Sequence, residues 1–92
     1  MPDLDLTVLD PSGLHGRPAA RFVQVASRFT SAVTLRVGDR SADAKSMVAL
    51  LGLTIRPQSR ITISAEGGDA EEVLAALVAE LGAAVAPSEP SP

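Results

Sequence analysis

Residues 3–29 read DLDLTVLDPSGLHGRPAARFVQVASRF, and the spacing of apolar residues within this stretch decides the fold. Up to residue 9, apolar and polar residues alternate, which predicts a β-strand with one buried and one solvated face. The inward positions of this strand are Leu4, Leu6 and Val8. After the turn at residues 10–13, the spacing becomes three or four, which predicts an amphipathic helix beginning just after His15. Its apolar stripe comprises Ala19, Phe22, Val23, Ala26 and Phe29.

Three further strands are predicted from the same kind of alternation. The segment AVTLRV (32–37) has apolar residues at every second position, and Gly38–Asp39 supplies the positive φ angle that a tight hairpin turn needs. The return strand, RSADA (40–44), is short and polar. The last of the three, SRITISAE (59–66), alternates again. These patterns favour an antiparallel sheet with one wet face.

Two more helices are predicted. In the first, Ser46 is placed as an N-cap residue, Gly52 ends the helix, and Met47, Leu50 and Leu51 form a brief apolar face. The second begins with a spacing typical of a capping box, Asp69 followed by Glu72, and ends at Gly82. Its apolar stripe comprises Leu74, Leu77, Val78 and Leu81.

The order of elements is βαββαβα, which predicts an α+β open-faced β-sandwich with three helices on one face of a four-stranded antiparallel sheet. Two strand orders are compatible with it, a ferredoxin-like order and the order 1-4-2-3. Asp3 and Asp5 project outward from the first strand, and the third strand is short and polar. Charge and shortness are typical of sheet edges, so the order 1-4-2-3 is favoured.

Composition restricts the function classes. A chain of 92 residues holds one domain, which we assign to residues 1–85, with the Pro- and Ser-rich residues 86–92 as a disordered tail. A net charge of -3 with only two aromatic residues argues against nucleic-acid binding. The absence of Cys excludes disulfides and cysteine-ligated metals, and we expect no metal and no cofactor. An acidic N-terminus without a long apolar run predicts a cytoplasmic protein with no membrane insertion. We also expect a monomer.

The segment GLHGRPAARF (13–22) contains the only histidine of the chain. If His15 lies at the start of a helix, the N–H groups of Gly16 and Arg17 lack intrahelical partners and form an anion site beside the imidazole ring. Arg17 adds a permanent positive charge, and Pro18 suits a first helical turn. The neighbours provide neither the several ligands of a metal site nor a second base. These residues therefore point to covalent capture of an anion by His15.

Two segments together, GLHGRPAARF (13–22) and KSMVALLGL (45–53), resemble the HPr family of phosphocarrier proteins of the bacterial phosphoenolpyruvate-dependent sugar phosphotransferase system. The resemblance implies the order 1-4-2-3 and a stoichiometric carrier rather than an enzyme. It implies that enzyme I passes a phosphoryl group to the pros nitrogen of His15, that Arg17 contacts it, and that enzyme IIA removes it. The family usually has Ala or Thr where this chain has Gly16, whose backbone N–H remains available.

Ser46 has two interpretations. In the first, it caps a short helix. In the second, which the resemblance implies, it is the serine that a kinase phosphorylates in many relatives and from which a phosphorylase removes the phosphate. A phosphate there adds negative charge beside the docking face, and Lys45 is placed to offset part of it. The alternative function is therefore an HPr-fold regulatory protein that acts mainly through Ser46 and partner binding. A third alternative is a ferredoxin-like module that holds a free anion at residues 13–17.

A partner-binding surface is also predicted, because a short helix cannot turn all its apolar residues inward. Leu51 has core packing as its alternative, and Arg21 lies on the exposed side of the first helix, where it can steer an acidic partner. The predicted surface comprises Ala20, Arg21, Met47, Val48 and Leu51.

Overall fold

Alternating burial along the strands and three-to-four spacing along the helices produce the elements that the sequence predicts, with one addition. The computed structural model describes residues 3–9, 17–53, 55–82 and 85–87. The elements are β1 (Asp3–Val8), α1 (Arg17–Ala26), β2 (Ala32–Val37), β3 (Arg40–Asp43), α2 (Met47–Leu51), β4 (Arg60–Glu66), α3 (Ala70–Leu81) and β5 (Val85–Pro87).

The strands form one antiparallel sheet in the order β3-β2-β4-β1-β5. Its register places Leu6 of β1 opposite Ile61 of β4, and Ile63 of β4 opposite Leu35 of β2. The four predicted strands therefore lie in the order 1-4-2-3, which is confirmed together with the α+β open-faced sandwich. This order removes the ferredoxin-like alternative.

Strand β5 was not predicted. It pairs with β1, which was expected to be an edge strand of the sheet. Val85 to Pro87 pair with Val8, Thr7 and Leu6, so this half of β1 is an interior strand. The Val85 side chain is buried, although the composition around it is typical of a tail. The domain boundary expected after residue 85 falls inside β5, because Ala86 and Pro87 pair with β1. Residues 88–92 of the predicted tail lie outside the described residues.

The core lies between the helices and one face of the sheet. Its largest side chains come from both layers, and burying each of them contributes about 1.5–3 kcal/mol. Those exposed by 1% or less include Leu6, Phe22, Leu35, Leu50, Ile61, Ile63 and Leu77. The stripe predicted for α1 is correct at Ala19, Phe22 and Ala26, which are buried. Because α1 ends at Ala26, Phe29 packs against the core from the following turn. Val25, which the stripe omits, is also buried.

The start of α3 differs from the predicted capping box. Asp69 is the residue before α3, but its side chain makes no hydrogen bond to the helix. Its carboxylate instead accepts hydrogen bonds from Thr30 and Ser31, which precede β2. The capping-box prediction is therefore wrong, and Asp69 joins the start of α3 to the turn that follows α1.

Candidate functional site

Helix α1 begins at Arg17, as predicted for a helix that starts just after His15. His15 and Gly16 lie outside the described residues, and of Arg17 only the backbone is described. The first turn of α1 contains no acidic residue, so no carboxylate competes there for the positive end of the helix dipole. The phosphoryl-accepting role of His15, with Arg17 and the Gly16 N–H as contacts, remains a prediction.

Ser46 is the N-cap residue of α2, as predicted. It has extended backbone angles, and its hydroxyl oxygen accepts a hydrogen bond from the Ala49 N–H at 3.3 Å. Its carbonyl accepts from the Leu50 N–H at 3.0 Å, which closes the first turn. The side chain is half-buried. This capping accounts for a serine at position 46, and phosphorylation of the same hydroxyl stays a prediction.

Lys45, which was expected to offset part of a charge on Ser46, makes a tertiary contact. Its Nζ donates a hydrogen bond to the carbonyl oxygen of Phe29 at 2.8 Å, in the turn after α1. Carbonyl groups near the end of a helix attract cations, which accounts for this placement. The ammonium group keeps its positive charge in this contact, so its partial offset of a phosphate on Ser46 stays a prediction.

Helix α2 exposes two of the residues predicted for partner binding. Val48 is 84% exposed and Leu51 is 45% exposed, while Leu50 between them is buried. The predicted apolar face of α2 is therefore corrected to Leu50, with Met47 half-buried against the core. The exposure of Leu51 favours the surface interpretation over core packing. Ala20 is half-buried on α1, which packs against α2.

Arg21 is exposed, as predicted, and it is ion-paired. Its guanidinium lies 3.0 Å from the carboxylate of Glu80 on α3, with 66% of the Arg21 side chain exposed. Glu80 carries no local sequence signal for this pairing, because its partner lies 59 residues away in the chain. Exposed ion pairs of this kind contribute up to about 1 kcal/mol, so the guanidinium can still exchange partners.

Across the described ranges, no three His, Cys, Asp or Glu side chains lie close enough together to hold a metal ion. In the same part of the chain, no helix has the length and apolar character needed to cross a bilayer.

Known proteins are similar to this chain over most of its length. Residues 3–82 match the model of the PTS-HPr family, described as the PTS HPr component phosphorylation site. The chain belongs to the PTS-HPr family. Members of this family are phosphocarriers of the phosphotransferase system rather than enzymes, as the two sequence motifs predicted.

Individual relatives agree with this assignment. The chain is 40% identical over 81 residues to the phosphocarrier protein HPr of Lysinibacillus sphaericus, an alignment that covers 85% of this chain and 92% of the relative. It is 44% identical over 68 residues to the HPr-like protein Crh of Halalkalibacterium halodurans, covering 74% of this chain and 81% of that one. A multiphosphoryl transfer protein of Xanthomonas campestris is 48% identical over 68 residues, or 74% of this chain, but the chain spans only 8% of that protein.

A solved structure extends the similarity to three dimensions. The fold superposes on the phosphocarrier protein HPr from Bacillus anthracis with a TM-score of 0.80 and 40% identity. The superposition covers 86% of this chain and 94% of the other. The family resemblance drawn from residues 13–22 and 45–53 is thereby confirmed.

Proposed function

We propose that the chain accepts a phosphoryl group on His15 from phosphorylated enzyme I and passes it to an enzyme IIA domain during phosphoenolpyruvate-dependent sugar uptake in the cytoplasm. The observation that carries this proposal is a single histidine, two residues before α1, inside a segment that matches the phosphorylation-site family model. Because the chain has one His, no second imidazole competes for the role.

The proposed reaction moves one phosphoryl group from phosphorylated enzyme I to the imidazole ring of His15. The pros nitrogen of His15 attacks the phosphorus with its lone pair, a new N–P bond forms, and the bond between the phosphorus and the donor atom of enzyme I breaks. The electron pair of the broken bond returns to that donor atom. The positive end of α1 disfavours a charged imidazolium before transfer and stabilises the phosphoryl oxygens after it. Arg17 adds charge-assisted hydrogen bonds to these oxygens.

The test is incubation with enzyme I and radiolabelled phosphoenolpyruvate. We expect label that is lost in acid and retained in alkali, and none in His15→Ala. Ser46→Ala serves as the matched control, because it removes a hydroxyl but leaves the histidine, and it should label like the wild type. Label that persists in His15→Ala would exclude His15 as the acceptor.

A second candidate function is regulation through Ser46. The Ser46 hydroxyl lies at the start of α2, and Val48 of the same helix is exposed. The chain is similar to Crh, which is described in Bacillus subtilis as a catabolite repression HPr, and this supports a regulatory function. A phosphate added by a serine kinase places two negative charges next to this apolar surface, which opposes docking of acidic partners.

Ser46→Asp tests this second function, because Asp keeps the N-cap while adding a charge. We expect slower phosphoryl transfer from enzyme I, with little change in melting temperature. Ser41→Asp is the matched control, since it adds the same charge on exposed strand β3. Equal rates for the two variants would remove the local regulatory role, while His15 labelling remains a separate result.

A further inference from the structure

A groove of about 510 Å³ lies between α1 and α3. No residue of α2 lines it, although Ala20 and Arg21 also belong to the predicted partner-binding surface. The lining residues are Ala20, Arg21, Gln24, Val25, Arg28 and Glu80. The lining therefore combines three long polar side chains (Arg21, Gln24 and Arg28), a small apolar floor (Ala20 and Val25) and the Glu80 carboxylate.

The charges of this groove are unbalanced. Arg21 is paired with Glu80 at 3.0 Å, whereas the Arg28 guanidinium has no ion-pair partner within the described part of the chain. Helix α1 itself, RPAARFVQVA, contains no acidic residue. Two guanidinium groups thus face a single carboxylate, which leaves a local positive charge on a protein whose net charge is -3.

The spacing of the donors suits one compact anion. Residues 21, 24 and 28 recur every three or four positions, so they lie along one face of the helix and its continuation. The outer two arginines are separated by about 10 Å along the axis, and each has a side chain long enough to reach a group held between them. Guanidinium groups bind phosphate oxygens through paired hydrogen bonds, and the Gln24 amide supplies a further donor.

We propose that this groove binds the phosphate group of a small phosphate ester. Arg28 provides the principal contact, Arg21 joins it by exchanging Glu80 for the ligand, and Val25 and Ala20 lie under the carbon portion. Glu80 then acts as a competing anion that sets the affinity. This site goes beyond the proposed function, because it requires neither His15 nor enzyme I.

The test is a titration of the ¹⁵N-labelled protein with glycerol 3-phosphate at constant ionic strength, followed by amide chemical shifts. We expect saturating shifts centred on Gln24 and Arg28. Arg28→Gln should weaken binding about tenfold, because it removes charge-assisted hydrogen bonds. Arg36→Gln is the matched control, since it removes the same charge from the exposed face of β2 and should leave the affinity unchanged.

Glu80→Gln should change the affinity for glycerol 3-phosphate in the opposite direction. Removing the competing carboxylate should tighten binding about threefold, the size of a released surface ion pair. Glu71→Gln, on the same helix, is its control. Weaker binding in Glu80→Gln, or equal losses in Arg28→Gln and Arg36→Gln, would overturn the proposal.

A titration with inorganic phosphate tests whether the groove prefers a phosphate ester to the free ion. We expect it to bind more weakly than glycerol 3-phosphate, because it leaves the apolar floor uncovered. Equal affinities would mean an adventitious ion only and would also overturn the proposal. A failure of enzyme I to label His15 would leave these titrations unaffected, so the two proposals fail separately.

Discussion

The Asp69 carboxylate accepts hydrogen bonds from both the backbone N–H and the hydroxyl of Ser31, with the N–H at 2.9 Å. Its other oxygen accepts from the N–H of Thr30 at 3.0 Å and from the Thr30 hydroxyl at 3.3 Å. One carboxylate thereby satisfies four donors in the turn between α1 and β2. Ser31 is the buried polar residue of the described core, so this pairing also provides its buried hydroxyl with a hydrogen-bond partner.

Stability should depend on the charge of Asp69. Hydrogen bonds from the Ser31 side chain, and next from the Thr30 backbone, lower the pKa of Asp69 from 3.8 to about 2. Because the folded-state pKa lies below the unfolded value, this stabilisation is present above pH 3.8 and is lost as the pH falls through about 2. The difference in urea midpoint between the wild type and Asp69→Asn should therefore shrink across this window.

A matched variant controls for the loss of charge. Asp3→Asn removes an exposed carboxylate on β1 that bonds neither Thr30 nor Ser31, and the acid-dependent fall in stability should persist in it. The role assigned to Asp69 would be contradicted if the difference in urea midpoint between the wild type and Asp69→Asn stayed constant from neutral pH to below the folded-state pKa of Asp69.

Position 67 requires glycine because its backbone lies close to Ser31. Its φ angle is 146°, and a Cβ atom added there would lie 2.5 Å from the Ser31 Oγ and 2.8 Å from the Ser31 Cα. Gly67→Ala should cost about 2–4 kcal/mol in unfolding free energy, from overpacking and backbone strain. At Gly68 a Cβ meets nothing within 4 Å, so Gly68→Ala should change stability by less than about 0.5 kcal/mol. Chemical denaturation of both variants tests the contrast, and similar losses would contradict it.

The two faces of the helices can be tested by truncation. Phe22 and Leu77 are fully buried, so replacing either by Ala should cost about 2–5 kcal/mol through lost burial and cavity formation. Leu51, which is 45% exposed, should lose less than about 1 kcal/mol. A loss at Leu51 as large as that at Leu77 would place Leu51 in the core, contrary to its position in the structure.

The elements and the strand order were predictable because they depend on local patterns. Alternation identified four strands, and the polar edge at residues 40–44 favoured the order 1-4-2-3 over the ferredoxin-like one. Ser46 was recognised as an N-cap because the motif is contained within one turn of chain. Each of these features is determined by residues close together in sequence.

The features that were missed depend on distant contacts. Val85 to Pro87 form a strand only because β1 offers them an unpaired edge, and three residues ending in Pro carry no alternation of their own. Asp69 has the local spacing of a capping residue, but donors 38 and 39 residues earlier in the chain compete for its carboxylate. Lys45 is likewise directed to Phe29 by a tertiary contact.

The exposed apolar surface of α2 should contribute to docking rather than to stability. Val48 is 84% exposed, so Val48→Asp should leave the melting temperature nearly unchanged. It should slow transfer from enzyme I about tenfold at low protein concentration, because a charge opposes burial at an apolar interface. Thr34→Asp places the same charge on the exposed face of β2 and should transfer at the wild-type rate. A normal rate in Val48→Asp would remove this residue from the docking surface.

The most direct test of the central claim is to follow His15 through one complete cycle by ³¹P and ¹⁵N NMR of the full chain. After enzyme I and phosphoenolpyruvate are added, the account predicts one phosphoryl group per chain on the pros nitrogen of His15, and its loss when enzyme IIA is added. Phosphate found on another residue, or phosphohistidine that enzyme IIA does not discharge, would contradict the account.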